Sequence, residues 1–290
     1  MGMDTNVIII GNGPAGISAA LYTLRAGIAT TIIASGESAL EKAKEVENYY
    51  GFPTPIPGPT LLKNGIIQAQ RLGAELINSE VVGVQETDGG FTVETANASY
   101  TCKVLIMASG ASRLKPKWKG LEAFEGMGLS YCAVCDGYFF RGKDVAVVGS
   151  GPFALHEAQN LLPIAKSVTL CTDGNALTAE FPPEIKIAEQ PVAGLEGDLA
   201  LYGLRFKDGT VLELSGLFMA IGVAGSTELA RSIGALLRNG DIVVDEGMRT
   251  NISGMLAAGD CTGGMKQIAK AVYEGAVAGT EAVRIIREGQ

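Results

Sequence analysis

The chain has 290 residues, 47% of them apolar and 39 of them glycine, with a formal net charge of −8. That acidity argues against a sequence-independent grip on nucleic acid, and no apolar run approaches the ~18 residues of a membrane span. The length suits about two domains, and five cysteines (102, 132, 135, 171 and 261), an odd number with one close pair, fit a cytoplasmic redox protein better than a secreted disulfide scaffold.

In chain order, the apolar run Val7–Ile10 feeds directly into Gly11-Asn12-Gly13-Pro14-Ala15-Gly16, so it reads as a strand entering a glycine turn rather than as a signal peptide. A helix over Ile17–Arg25 and a strand over Thr30–Ile33 complete a βαβ opening. The Pro- and Gly-dense stretch Asn48–Pro59 predicts an irregular surface loop. Alternation over Glu80–Glu86 and Phe91–Thr95, around Asp88-Gly89-Gly90, predicts an antiparallel hairpin, and Val104–Ala108 a buried strand ending at Ser109-Gly110. From about Arg113 the pattern begins again. Asp144–Val148 reads as a strand, Gly149-Ser150-Gly151-Pro152-Phe153-Ala154 as a turn, the residues through Leu162 as a helix and Ser167–Cys171 as a strand. A second hairpin is expected over Gly203–Leu214, an apolar segment at Leu217–Ala220, a stretch from Ile242 closing on Met255–Asp260, and a final helix near Gln267–Arg287.

Two glycine-rich βαβ starts in one chain imply an α/β protein with two Rossmann-like nucleotide-binding domains of the three-layer ββα type. Residues 113–214 are expected as an insertion into a cofactor domain built from 1–112 and 215–290. In the first turn Gly11 permits the tight bend, Gly13 lets backbone approach a pyrophosphate, and Gly16 allows close helix–strand packing, with helix amides facing the phosphates. The second strand ends at Ala34-Ser35 with no acidic residue at its tip, leaving Glu37 as the nearest ribose contact.

Cys132-Ala133-Val134-Cys135-Asp136 supplies two thiols at a spacing that can close a small disulfide ring, beside a carboxylate. With no second cysteine pair and His156 the lone histidine, no metal is expected. Asp136 reads either as a proton donor to a departing thiolate or as a helix N-cap. A paired thiol beside a dinucleotide turn points to flavin-to-disulfide electron transfer. His156, Cys102, Cys171 and Cys261 read as packing residues, while Tyr49 and Tyr50 either shield the cofactor or cap a loop.

The segment from Cys132 through Gly151, CAVCDGYFFRGKDVAVVGSG, resembles the redox-active segment of low-molecular-weight thioredoxin reductases. Glu45-Val46-Glu47-Asn48 resembles that family's flavin-contacting loop, Ile242–Asn251 running into Leu256–Asp260 its C-terminal FAD motif, and Lys266-Gln267-Ile268 its basic-Gln-Ala element. The resemblance implies FAD as cofactor, thioredoxin as partner, a homodimer, and domain rotation that exposes Cys132. It also implies that Cys135 faces the flavin, that Cys132 exchanges with the partner disulfide and that Asp260 holds the ribityl-phosphate region. The cofactor contacts then expected are Gly11, Gly13, Pro14, Ala15, Gly16 and Ser35, with Asn48, Val82, Ser109 and Gly110, and finally Gly259, Asp260, Lys266, Gln267 and Ile268.

One departure bears on the electron source. The family's NADPH-using members carry basic residues after the second strand of the inserted domain. Here Leu170-Cys171-Thr172-Asp173-Gly174-Asn175 has no Arg or Lys. An Asp repels a 2′-phosphate, although it can accept from the 2′-OH of NADH, and Phe153 is expected to place a ring in the pyrophosphate turn. The pattern resembles the ferredoxin-dependent flavin thioredoxin reductases. A ferredoxin near roughly −400 mV reducing a thioredoxin near roughly −270 mV releases about 6 kcal/mol for two electrons. Arg113, Lys115, Lys117 and Lys119 form a basic cluster suited to an acidic ferredoxin; a solvated linker is the plainer reading. The competing functions are an NADH-dependent disulfide reductase, a dithiol oxidase using oxygen, and a non-enzymatic flavin redox sensor.

Overall fold

The structure, a computed structural model, describes residues 4–36, 38–110, 116, 118 and 120–289. Glu37, Arg113, Lys115, Lys117 and Lys119 lie outside the described residues. Two compact units are present: Met1–Ser112 with Gly225–Gln290, and Arg113–Ala224.

The first unit opens with β1 (Asp4–Ile10), α1 (Pro14–Arg25) and β2 (Thr30–Ala34), followed by α2 (Gly58–Arg71) and β3 (Glu75–Asn78). The hairpin β4 (Val81–Thr87) and β5 (Gly90–Thr95) leads into β6 (Ser99–Met107). Val7–Ile10 are all at most 3% exposed, which explains a run without polar alternation: a central parallel strand is covered on both faces. The expected loop over Asn48–Pro59 stops short, because Gly58 already opens α2 with proline in its first turn, where the missing N–H costs nothing. An isolated antiparallel bridge between Val46 and Ile56 closes that loop on a small apolar cluster with Leu40 and Leu62.

The second unit comprises β7 (Leu129–Ser130), the four-residue α3 (Ala133–Asp136), β8 (Asp144–Val148), α4 (Pro152–Leu161), β9 (Ser167–Cys171) and β10 (Ile185–Ala188). A three-stranded antiparallel sheet, β11 (Val192–Gly197), β12 (Leu201–Phe206) and β13 (Val211–Glu213), precedes β14 (Gly216–Met219). The main sheet is parallel, in the order β10-β9-β8-β14-β7. The expected boundary at 214/215 is corrected by this order. Leu217 pairs with Ala146 of β8 and with Leu129 of β7, so the second unit runs to Ala224. A hairpin is a local pattern, whereas the partners of the strand after it are chosen by tertiary packing.

The chain returns to the first unit through α5 (Ser226–Ser232), the short pair β15 (Leu237–Arg238) and β16 (Asp241–Ile242), β17 (Met255–Ala257) and the 21-residue α6 (Ile268–Glu288). The strand order is β3-β2-β1-β6-β5-β4, with β17 also on β6. Nine-residue β6 is shared: Ser99–Cys102 pair antiparallel with β5, and Leu105–Met107 parallel with β17. A parallel cofactor sheet and an antiparallel hairpin thus meet on one strand. Helix α6 lies close on α1, because a Cβ at Gly275 would fall 2.2 Å from the Ala15 carbonyl oxygen. Among the described residues no helix is long and apolar enough to cross a membrane.

Candidate functional site

The glycine turn of the first unit is built by close contacts. Gly11 has φ +112°, and a Cβ on it would meet the Ala108 carbonyl oxygen at 2.4 Å and Ser109 Cα at 2.8 Å. Gly16 packs as tightly, its Cβ position 2.0 Å from the Gly11 oxygen. Gly13 is open by contrast: Ser38 Oγ, 4.0 Å away, is its nearest neighbour among the described residues. A face without a side chain, at the start of a 12-residue helix, is what a pyrophosphate needs from this turn.

Other expected contacts converge here. Gly259, at φ +89°, sits against Ala15, which brings Asp260 to the first turn of α1. Ser109 is fixed by Ser226, whose Oγ accepts from the Ser109 amide at 3.0 Å and lies 2.7 Å from Ser109 Oγ. Asn48 Nδ2 donates to Gln267 Oε1 at 2.8 Å, joining the Glu45–Asn48 loop to the N-cap position of α6. Ile268 and Tyr49 pack on the loop's apolar cluster, while Tyr50 is exposed. Ser35 follows β2, and Lys266 is exposed beside Gln267. Val82 is on β4, as the extra residue of a bulge.

Sequence reasoning missed the network beneath Asp260. Glu274 Oε2 accepts from the Gly259 amide (2.8 Å) and from Thr262 Oγ1 (2.8 Å), and Lys270 Nζ donates to the Gly259 carbonyl (2.8 Å) and pairs with Glu274 at 3.0 Å. An i,i+4 acid–base pair inside a helix reads in sequence as a surface feature; here both side chains are at most 15% exposed.

In the second unit Cys132 and Cys135 form a disulfide. Cys132 is the N-cap of α3, its Sγ accepting from the Cys135 amide at 3.1 Å. It is buried, whereas Cys135 is exposed. Asp136 is the last residue of α3 and holds the N-cap position of the 3-10 turn Gly137–Phe140, without a side-chain hydrogen bond to it. Its Oδ2 instead accepts from Ser130 Oγ at 2.6 Å, and that oxygen accepts from the Cys132 amide at 3.1 Å. Glu157, buried on α4, accepts from the Ala133 amide through Oε2 at 2.6 Å. Nothing in the local sequence marks Ser130 or Glu157. His156 is half-buried on the same helix.

The second glycine turn differs from the first. Thr178 lies on it: the Thr178 amide donates to the Ser150 carbonyl at 2.8 Å, and Thr178 Oγ1 is 3.0 Å from where a Cβ on Gly151 would stand. Phe153, at the start of α4 after this turn, is buried at 4% exposure. Asp173 is not directed outward for a ribose. It has φ +51°, and its Oδ1 accepts from the Val192 amide at 2.6 Å, fastening the β9 end to β11.

Burial pushes the thiols of Cys102, Cys171 and Cys261 up to about 12. Among the described residues no group of three or more His, Cys, Asp or Glu side chains is placed to hold a metal ion.

The profile described as "Pyridine nucleotide-disulphide oxidoreductase" matches residues 5–275. The chain belongs to that family. Within the family, a thioredoxin reductase of Streptomyces coelicolor is 39% identical over 274 residues, 88% of this chain and 85% of that one. The crystal structure of the atypical thioredoxin reductase TRi from Desulfovibrio vulgaris Hildenborough superposes with a TM-score of 0.91 at 40% identity, covering 98% of each chain. A ferredoxin-flavin thioredoxin reductase from Clostridium acetobutylicum gives 0.73 at 30% identity, over 99% of this chain and 100% of that one. The α/β fold with Rossmann-like parallel sheets is shared with these relatives, and the chain is a flavoprotein disulfide oxidoreductase of the thioredoxin reductase group whose cofactor is FAD. The first unit fits that group. Gly11–Gly16 would take the pyrophosphate, and Asp260, Asn48 and Gln267 stand on the elements that would hold the rest.

Proposed function

We propose that the chain reduces the disulfide of a thioredoxin with electrons delivered by a reduced ferredoxin. FAD supplies there a carrier that takes up electrons singly and releases them in pairs. Everything after that is done by the chain. Two electrons and two protons open the Cys132–Cys135 bridge to a dithiol, and Asp136, held by Ser130, is the group placed to move a proton to or from the turn. The Cys132 thiolate then attacks the partner disulfide, and Cys135 resolves the mixed disulfide, which releases the reduced partner and restores the bridge. Cys132 is 2% exposed in the disulfide form, so the redox turn must move before exchange. Val134, Tyr138 and Phe139 are more than half exposed around Cys135, an apolar surface suited to a docking protein.

The observation that favours ferredoxin over a nicotinamide is Thr178 on Gly151, together with the absence of any Lys or Arg from 170–175 and the engagement of Asp173. A pyrophosphate needs the bare glycine face that the first turn keeps and the second covers. The test is anaerobic titration of the yellow enzyme. Reduced ferredoxin is expected to bleach the flavin band and to support thioredoxin reduction, with NADH and NADPH doing neither. Stoichiometric bleaching by either nucleotide would overturn the choice of donor.

A further inference from the structure

The mechanism above leaves one buried carboxylate beside the disulfide without a task. Glu157 is 6% exposed on α4, and its Oε2 accepts from the Ala133 amide at 2.6 Å. Ala133 is the first residue of α3 and sits between the two cysteines. A four-residue helix has no stability of its own, and its leading amides have no partner within it. Here those amides are used. The Cys135 amide meets Cys132 Sγ, and the Ala133 amide meets a carboxylate 24 residues further along the chain. At the other end of the turn, Ser130 ties down Asp136. The turn is therefore pinned at both ends, and the pin at its start is a short hydrogen bond to a buried acceptor, the stronger kind if the carboxylate is charged.

We propose that Glu157 is a positioning residue for the redox pair: by holding the Ala133 amide it keeps the Cys132–Cys135 turn in the conformation that favours the closed disulfide. This rests on the reading that these two cysteines are the exchanging pair. The bridge needs both sulfurs fixed on one turn, whereas the dithiol tolerates a loosened one. Loss of the acceptor thus weakens the oxidised form more than the reduced form.

The test uses the full-length, flavin-loaded protein, equilibrated without oxygen in glutathione buffers. Two glutathione thiols become one glutathione disulfide as the bridge becomes two thiols, and acid trapping followed by alkylation counts them. Glu157→Leu removes the acceptor; Glu157→Gln keeps an acceptor oxygen and removes the charge. The Leu variant is expected to shift the equilibrium about tenfold toward the dithiol, about 30 mV for this two-electron couple, while the Gln variant stays within about twofold of the parent. A Leu variant with the parent's equilibrium would overturn the proposal, as would a Gln variant that shifts equally, since charge rather than acceptance would then be responsible. If the Leu protein does not fold, amide exchange in the unaltered protein decides: Ala133 is expected to be protected while the bridge is closed, and exchange at a solvent-like rate would sink the idea. Glutathione reads the pair without ferredoxin or thioredoxin, so failure to turn over with those proteins would count against the proposed function alone.

Discussion

Three of the five thiols sit where water does not reach, and desolvation raises each to about 12. A raised thiol is neutral at pH 7, and only the thiolate reacts. Iodoacetamide should therefore spare Cys102, Cys171 and Cys261 in the reduced native protein and label all five cysteines after denaturation; labelling of Cys261 in the native state would contradict its burial. Asp136 gives a second expectation at this scale. In the proposed mechanism Asp136 is the general acid, so Asp136→Asn should slow thioredoxin reduction by about 10²-fold or more, and Ser130→Ala by a smaller factor, both read in single-turnover reoxidation of the reduced protein. The cysteine pair and its carboxylate were legible in sequence because their chemistry is contiguous. Ser130 could not be assigned, since a serine two residues before a cysteine has no signature until its hydroxyl is seen between Asp136 and the Cys132 amide.

At the level of elements, the first βαβ unit was readable because its constraints are local: a bare strand, a glycine turn and a helix in succession. Gly16→Ala should be among the most damaging single changes, since its Cβ would lie 2.0 Å from a backbone oxygen that has no room to retreat. The variant is expected to purify with little bound flavin and to lose about 1–3 kcal/mol of stability or more, read as a lower Tm. Lys270→Met tests the support under Asp260. It leaves Glu274 buried without its ion pair, and FAD affinity, measured by quenching on titration into apoprotein, should fall about tenfold. Helix α2 went unread within the Pro- and Gly-rich stretch that precedes it, although its cue is visible in hindsight. Pro59 stands in the first turn, and Leu62, Ile66 and Ala69 follow at helical spacing. Turn-forming residues hid a helix start because the same residues favour both.

At the scale of the whole molecule, charge and helix anchoring make separate predictions. Glu281 on α6 is held by Arg284 and Arg249, which pull its carboxyl from 4.5 to about 2. A carboxyl lowered by folding stabilises the folded state above its unfolded value, and that contribution is lost as pH falls through the folded one. Glu281→Gln should therefore cost about 1–3 kcal/mol at neutral pH. The difference from the parent should shrink between about pH 4.5 and about pH 2, followed as melting temperature against pH. In the proposed ferredoxin route, the basic cluster at 113–119, in a chain of net charge −8, would steer the encounter. Replacing Lys115, Lys117 and Lys119 by Glu should raise the apparent KM for ferredoxin and flatten its salt dependence; an unchanged rate across ionic strengths would remove the cluster from the docking surface.

Sequence by itself determined the two glycine turns, the redox pair and the α/β class, because each is carried by neighbouring residues whose backbone and chemical needs are met locally. Tertiary structure alone decided that β14 belongs with β8 and β7, that Thr178 covers Gly151 while Gly13 stays bare, and that Glu157 reaches the Ala133 amide. Strand partnership, occlusion of a turn and the pairing of a buried carboxylate are contacts between distant segments, and no local pattern records which segments will meet.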